Sequence, residues 1–148
     1  MGAPVHPSSN DDIVSIIVSP HQTLSFKHRP DDSVGQPHDD LEYDETGKVI
    51  SNHGPHISMY VADLPTTYKN AAALNAVFVN TRFKRQAYTI DEAIDQCMFR
   101  ILDIIDPADV ESGPILRLEH EVRSVTTADG KLYKSCPFFE IPRSCLQS

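Results

Sequence analysis

Apolar positions that alternate with polar ones predict strands along most of the chain. Residues 13–18 are mainly apolar and β-branched, and residues 23–28 alternate again after a short group of turn formers, which predicts a β-hairpin over 13–28. Similar runs predict further strands over 56–62, 76–83, 98–105, 115–125 and 132–141. The chain therefore contains a large β component.

Two stretches between these strands carry helix signals instead. Asp63 precedes Leu64-Pro65 as an N-cap, and apolar residues at helical spacing follow over 66–75. Thr89, with Glu92 three residues later, forms a capping box for a short helix that ends near Cys97. From residue 56 onward the order is strand, helix, strand, short helix, strand, strand, which predicts an α+β fold with a mixed sheet and helices on one side.

Charge is distributed unevenly and suggests how the chain is divided. The 148 residues carry a formal net charge of -8, and residues 1–54 alone hold nine acidic against three basic residues. We predict no secondary structure for the acidic segment 29–54, because it is rich in turn formers and buries little. The predicted parts are a disordered start (1–11), the hairpin (12–28), the acidic linker (29–54), the main module (55–142) and a tail (143–148).

Composition also excludes several classes of protein. The net negative charge disfavours nucleic acid and anionic membrane surfaces as partners. No apolar run approaches the roughly 20 residues of a membrane-spanning helix, and the start lacks the pattern of an export signal. The three cysteines, Cys97, Cys136 and Cys145, form no CxxC pair, which favours reduced thiols in a soluble, cytoplasmic protein.

Four residues on two of the predicted strands are candidates for chemistry. His56 opens its strand and could present a ring nitrogen to a metal, although bonding to nearby backbone is the commoner role. Arg117, Glu119 and Glu121 share one face of a regular strand, with neighbours roughly 7 Å apart. This spacing suits an ion-pair network, a metal site or acid–base chemistry, and it equally suits a solvated strand face.

A basic segment and a cysteine are two further candidates for a functional role. The segment Thr81-Arg82-Phe83-Lys84-Arg85 could receive an anionic group such as a carboxylate or phosphate, or could be a plain surface patch. Cys97 has no His or Lys neighbour in sequence, so we predict a small buried apolar group and no activated thiolate.

The part of the chain that begins at His56 resembles the first elements of a known family of modules. It reads His-Ile-Ser-Met-Tyr-Val-Ala-Asp-Leu, continues as the predicted helix, and is followed by the strand Ala-Val-Phe-Val from Ala76. It is similar to the start of a vicinal oxygen chelate module, as in glyoxalase I, extradiol dioxygenases and bleomycin resistance proteins. Asp106-Pro107 and Gly113 resemble the family's turn into its last strand. The resemblance covers about 56–122 and implies a βαβββ module with a cupped sheet, while the hairpin at 12–28 resembles the end of a preceding module.

The resemblance also implies a metal site and a partner. It implies that His56 binds a divalent metal ion, which could be Fe, Zn, Ni, Mn or Mg. The family's other ligand is a Glu on the last strand, usually four residues after the turn glycine; that position is Arg117 here, and Glu119 stands two residues further on. Because the family builds its site from two modules, one and a half modules imply a homodimer or a shortened chain.

Three hypotheses about function follow. The first is a metal-dependent lyase, isomerase or dioxygenase that acts on a small oxygenated molecule, with His56 and Glu119 on the metal and Glu119 or Glu121 as base. The second is a metal-free binding module, in which Arg117 and Glu119 form a salt bridge and the ligand contacts Tyr60, Phe78, Phe99 and Arg117. The third is a noncatalytic assembly protein that a second chain completes.

Overall fold

The computed structural model of the chain describes residues 5–7, 13–19, 22–27 and 40–133. It divides the chain into two compact units, residues 1–39 and 40–148. In the first unit, β1 (Val5–Pro7), β2 (Ile13–Ser19) and β3 (Gln22–Lys27) form an antiparallel sheet in that order. The hairpin predicted over 13–28 is therefore present, and β1 lies in the stretch predicted to be disordered.

A second hairpin lies where the sequence predicted an unstructured linker. β4 (Leu41–Tyr43) pairs antiparallel with β5 (Val49–Asn52), so the prediction for 29–54 is wrong over this part. The connecting turn is held by the Asp44 carboxylate, which accepts the backbone N–H of Thr46 at 2.9 Å, and Gly47 supplies a φ of +83°. Asp44 therefore stabilises the turn of a hairpin where the sequence predicted no secondary structure, while residues 29–39 of the predicted linker lie outside the described residues.

The remaining elements of the second unit form the predicted α+β arrangement with a mixed sheet. In chain order they are β6 (His56–Val61), α1 (Leu64–Ala73), β7 (Val77–Phe78), α2 (Ile90–Gln96), β8 (Met98–Ile105), a 3-10 helix (Val110–Ser112) and β9 (Pro114–Ser124). The strand order is β6-β9-β8-β7, in which β6 and β9 are parallel and the other neighbours are antiparallel. The first and last strands of this unit's main sheet are thus direct neighbours.

Both helices begin at the caps that the sequence predicted. The Asp63 carboxylate accepts the backbone N–H of Thr66 at 3.0 Å, and the capping box of Thr89 and Glu92 is complete. Helix α2 ends at Gln96, and its C-cap residue Cys97 adopts the left-handed conformation with a φ of +57°. These local signals place the helix starts without help from the rest of the fold.

Two predicted strands differ from the structure. The strand predicted over 76–83 has only two paired residues, Val77 and Phe78, because the chain then turns and buries the side chain of Asn80. The strand predicted over 132–141 is represented by a single bridge between Thr126 and Leu132, and the rest of it, like the tail 143–148, lies outside the described residues.

The helices pack against one face of the mixed sheet and form its apolar core there. We call this the helix-packed face; its fully buried side chains include Phe99 and Val122, which lie with Leu64, Tyr68 and Ala93 of the helices. The rings of Tyr68 and Phe99 meet edge to face, with centroids 5.2 Å apart. Among the described residues, no helix has the length and apolar character needed to cross a membrane.

Candidate functional site: the polar face of the mixed sheet

The opposite face of the mixed sheet carries most of the candidate chemistry. Strand register places His56 beside Glu119, Ser58 beside Glu121 and Tyr60 beside Arg123, and across β8 and β7 it adds Met98, Arg100 and Phe78. These nine residues define what we call the polar face. Since side chains alternate between the two faces of a strand, this set is separate from the helix-packed core.

Glu119 is the most enclosed acidic group of the polar face. Its side chain is fully buried, yet both carboxylate oxygens are hydrogen-bonded. Oε2 accepts the side-chain amides of Asn52 and Asn80, each at 2.8 Å, and Oε1 accepts the Arg100 guanidinium at 2.5 Å. A buried carboxylate without such partners would strongly destabilise the fold, so these three donors explain how Glu119 is tolerated.

Arg100 joins the two carboxylates of the polar face. One guanidinium nitrogen contacts Glu119 and the other donates to Glu121 Oε2 at 3.0 Å, while the whole side chain is 5% exposed. The Phe83 ring lies against the guanidinium, with the Arg100 Cζ 4.0 Å from the ring centroid. The Arg100 Nε is buried and has no hydrogen-bond partner within the described part of the chain. Arg100 is therefore held between Glu119 and Glu121 and shielded from water. We call these three residues, together with Asn52, Asn80 and Arg123, the network.

Arg123 is the more exposed cation of the network. Its Nε donates to Glu121 Oε1 at 2.8 Å, and its side chain is 24% exposed. Burial lowers the pKa of the Arg123 guanidinium, but the hydrogen bond with Tyr60 and the charge of Glu121 outweigh burial, so that the pKa is raised. Glu121 is thus shared between two guanidinium groups.

Arg117 does not lie where the period-two pattern predicted. The pairings Ile101 with His120 and Asp103 with Arg117 require one extra residue on β9, so a bulge interrupts the alternation between Arg117 and Glu119. Arg117 consequently pairs with Asp103 at 3.0 Å, and both side chains are about one-third exposed. The predicted salt bridge between Arg117 and Glu119 is replaced by the one between Arg100 and Glu119.

The predicted apolar contacts also divide between the two faces. Tyr60 and Phe78 lie on the polar face, whereas Phe99 is 1% exposed in the helix-packed core. His56 is exposed at the start of β6, and its ring meets the ring of Phe83 edge to face at 5.8 Å. The structure therefore brings His56, Tyr60, Phe78, Glu119 and Glu121 together and separates them from Phe99 and Arg117.

Three members of the network were not predicted from the sequence. Asn52 lies in the segment predicted to be a loop, Asn80 in a segment predicted to be a strand, and Arg100 in a strand whose apolar residues suggested only core. The one available signal was Arg100, since an Arg within a run of buried apolar residues needs an acidic partner. Neither Asn carries a comparable signal.

His120 and Cys97 are buried titratable groups that lie outside the polar face. Burial lowers the pKa of His120, whose Nδ1 bonds to the Leu118 carbonyl at 2.5 Å on the helix-packed side of β9. Burial also raises the pKa of the Cys97 thiol, although the Ala128 N–H and Arg85 act in the opposite direction. Cys97 is 5% exposed and free, as the sequence predicted for a small buried group.

A separate cleft of 360 Å³ lies at the other end of β6 and β9, next to the start of α1. Its walls include Asp63, Pro65, Ile94, Ser124 and Thr126. Asp63, which caps α1, is the one charged residue among the lining residues. This cleft is therefore distinct from the network around Glu119.

The arrangement of possible metal ligands and three comparisons with known proteins bear on what the site could hold. Within residues 5–7, 13–19, 22–27 and 40–133, no group of three or more His, Cys, Asp or Glu side chains is arranged to hold a metal ion. Comparison of the chain with family models, with curated proteins and with solved structures finds no match.

Proposed function

We propose that the chain is a vicinal-oxygen-chelate-like module whose polar face binds a small oxygenated molecule without a metal ion. From β6 onward the order is strand, helix, strand, helix, strand, strand, which differs from βαβββ by the short helix α2. The resemblance is supported by the register that makes His56 and Glu119 neighbours on the first and last strands of the mixed sheet. A cytoplasmic location is part of the proposal and is supported by the free thiol of Cys97.

The main support for the proposal is that both carboxylate oxygens of Glu119 already accept hydrogen bonds within the protein. A metal ligand needs a carboxylate oxygen free to bind the ion, but both oxygens of Glu119 are occupied by Asn52, Asn80 and Arg100. Arg100 also brings a positive charge to the position between the two carboxylates. The residues present therefore fit an internal ion-pair network and do not fit a divalent cation.

A metal-dependent lyase, isomerase or dioxygenase is the second candidate. It is favoured by the exposure of His56 beside Glu119, the two positions that the family resemblance assigns to the metal. This function requires Glu119 to give up the hydrogen bonds from Asn52, Asn80 and Arg100. The second candidate is therefore distinguished from the first by metal binding itself.

A second copy of the chain is the partner we infer. The main unit presents its polar face on one four-stranded sheet, and β6 has a strand neighbour on one side only within the described residues. An unpaired strand edge of this kind can join the same edge of another copy. Sedimentation equilibrium of the full chain, run over a range of concentrations, is expected to show a dimer; a monomer at all concentrations would remove this part of the proposal.

Metal content tests the choice between the two candidates. The full chain, purified without an affinity metal column, is incubated with Mn²⁺, Zn²⁺, Ni²⁺ or anaerobic Fe²⁺, desalted and measured by elemental mass spectrometry. We expect far less than one equivalent of any metal, with no difference between the wild type and His56→Ala. Near one equivalent that disappears in His56→Ala would instead establish the metal-dependent candidate.

Chemical-shift mapping tests ligand binding directly. We expect small oxygenated compounds, added to the chelator-treated ¹⁵N-labelled chain, to shift the backbone resonances of Ser58, Tyr60 and Arg123. Shifts confined to residues around the cleft at Asp63, or no shifts at all, would contradict binding on the polar face. A Tyr60→Phe variant keeps the ring and removes the hydroxyl, so weaker binding would identify that group as a contact.

A further inference from the structure

The carboxylates of the polar face are neutralised within the protein. The side chains of Glu119 and Glu121 are 0% and 7% exposed, and each is ion-paired with Arg100. Glu121 is also paired with Arg123, which is the partly exposed member of the network. The four formal charges of these residues therefore cancel, and the Arg123 guanidinium is the most exposed of the four groups.

An exposed basic loop lies beside this neutral network, because its Phe83 ring packs against the Arg100 guanidinium. Thr81 to Arg85 contains Arg82, Lys84 and Arg85, all exposed. The Arg85 guanidinium donates to the Tyr133 hydroxyl. Arg82 and Lys84 take part in no ion pair within the described residues. At least two cations of this loop are thus available to a ligand.

Phe83 connects this loop to the polar face. Its ring centroid lies 4.0 Å from the Arg100 Cζ, 5.4 Å from the Arg82 Cζ and 5.8 Å from the ring centroid of His56. We call Arg82, Phe83 and His56 the basic rim. The rim places a guanidinium and an imidazole around one aromatic ring, and an apolar wall of this kind strengthens the attraction between a cation and an anion.

The hairpin β4–β5, which precedes His56 in the chain, carries acidic residues that could oppose the positive charge of the rim. Its Glu42 is paired with His53 at 3.1 Å, and its Asp44 carboxylate is occupied by the turn that it stabilises. Glu42 and Asp44 therefore have partners of their own, and the third acid, Glu45, is exposed in the connecting turn. Among the described residues none of the three forms an ion pair with Arg82 or Lys84, in a chain whose formal net charge is -8.

From this arrangement we propose that the ligand of the polar face is a small organic acid, whose carboxylate binds the basic rim through Arg82 and His56. This inference rests on the proposed function, which it makes more specific. The planar guanidinium of Arg82 can donate two parallel hydrogen bonds to a carboxylate, and His56 can donate one more from its ring. The net negative charge of the chain disfavours large polyanions but leaves a small anion with one or two carboxylates free to enter.

Matched pairs of acids and amides test the proposal. Benzoate and succinate are titrated into the chelator-treated full chain at low ionic strength by isothermal calorimetry, beside the neutral compounds benzamide and succinamide. Since hydrogen bonds to a charged group contribute about 1.5–3 kcal/mol, we expect each acid to bind at least about tenfold more tightly than its amide. Inorganic phosphate is titrated as well, and weaker binding than for the two acids is expected.

Charge-removing variants locate the site. Arg82→Gln is expected to weaken benzoate binding about fivefold or more, and His56→Gln to weaken it by a smaller factor. Arg117→Gln is the matched control, because Arg117 is paired with Asp103 on the other side of the β9 bulge; its binding constant should stay within about twofold of the wild type. Both Arg residues are exposed enough that folding is preserved, which the ¹⁵N spectra of the variants verify.

Three outcomes would overturn the proposal, and they leave the proposed function in different states. If the amides bind as tightly as the acids, or if Arg117→Gln weakens binding as much as Arg82→Gln, the ligand class or the rim is wrong while the binding function stands. If phosphate binds more tightly than both carboxylates, the rim binds phosphate and the carboxylate assignment fails. If no compound shifts any resonance of the polar face, the ligand class and the proposed function fail together.

Discussion

At position 100, a guanidinium group is buried between two carboxylates and beneath an aromatic ring. Replacing Arg100 by Met keeps much of the side-chain volume but leaves Glu119 buried without a counter-charge. We expect the free energy of unfolding to fall by about 3–5 kcal/mol, because an unpaired buried charge is not compensated elsewhere. Urea denaturation followed by circular dichroism measures this change.

Arg117→Met is the control for Arg100→Met, since the ion pair between Arg117 and Asp103 is partly exposed. A loss of at most about 1 kcal/mol is expected there. Adding Glu119→Gln to Arg100→Met should restore part of the stability, because it removes the uncompensated charge. Equal losses for Arg100→Met and Arg117→Met would show that the network around Glu119 is not the stronger interaction.

The buried imidazole of His120 should make the free energy of unfolding depend on pH. Burial lowers its pKa in the folded state, so the folded protein keeps the imidazole neutral while the unfolded chain takes up a proton near pH 6.5. The free energy of unfolding should therefore fall as the pH drops from about 6.5 towards the lowered pKa, and should be independent of His120 above this range. Unfolding free energies at several pH values check this dependence.

The variant His120→Gln removes the titrating group and should flatten the stability profile in that window. His53→Gln, at an exposed His beside Glu42, serves as the comparison and should leave the contribution of His120 in place. A profile that is unchanged by His120→Gln would mean that another group causes the loss of stability.

At the scale of elements, the hairpin β4–β5 is attached to the mixed sheet by hydrogen bonds between side chains. Asn52 donates to Glu119 of β9, and its Oδ1 accepts the backbone N–H of Gly54 at 2.9 Å. Asn80 donates to the same carboxylate and to the Asn52 carbonyl. Few apolar side chains of this hairpin are buried, so these polar bonds account for much of its attachment.

The variant Asn52→Ala should therefore loosen this hairpin without unfolding the sheet. We expect backbone amides of the hairpin, such as those of Asp44 and His53, to exchange about tenfold faster with deuterium, since lost hydrogen bonds lower the local opening energy. Ser51→Ala leaves both donors to Glu119 in place and should have a smaller effect. Unchanged exchange in Asn52→Ala would show that other contacts hold the hairpin.

At the scale of the whole molecule, burial is concentrated in one of the two units. All fully buried residues of the described chain lie between positions 51 and 133, whereas no described side chain of β2 or β3 is fully buried. A small sheet without buried apolar side chains has little stability of its own. The two units should consequently open with different free energies.

Hydrogen exchange measured by mass spectrometry on the full chain tests this difference. Amides in β8 and β9 are expected to exchange most slowly, and those over 13–27 to exchange faster by at least about tenfold. Equal protection in both regions would mean that the first unit is stabilised by interactions beyond its own strands.

Much of the main unit could be predicted from local pattern. The caps at Asp63 and Thr89, the strand at β8 and the mixed α+β order depend on neighbouring residues, and the structure has them where the pattern put them. The β4–β5 hairpin was missed although its turn signal is local: the Asp44 carboxylate bonds to backbone two and four residues further on, and Gly47 supplies the positive φ, but the acidic composition of the segment was interpreted as an unstructured linker. The short β7 could not be predicted, because burial of Asn80 is a tertiary effect.

The candidate site shows the same division. Its position on the first and last strands follows from the chain, since His56, Glu119 and Glu121 stand out as polar residues on apolar strands. Whether Glu119 is available was decided only by the tertiary structure, which brings Asn52, Asn80 and Arg100 to its oxygens from 67, 39 and 19 residues away. Local pattern determines which residues form strands and helices, because the interactions that stabilise these elements act between residues close in sequence. Strand register, one β-bulge and long-range hydrogen bonds determine which charged groups meet, because those contacts exist only after the chain has folded.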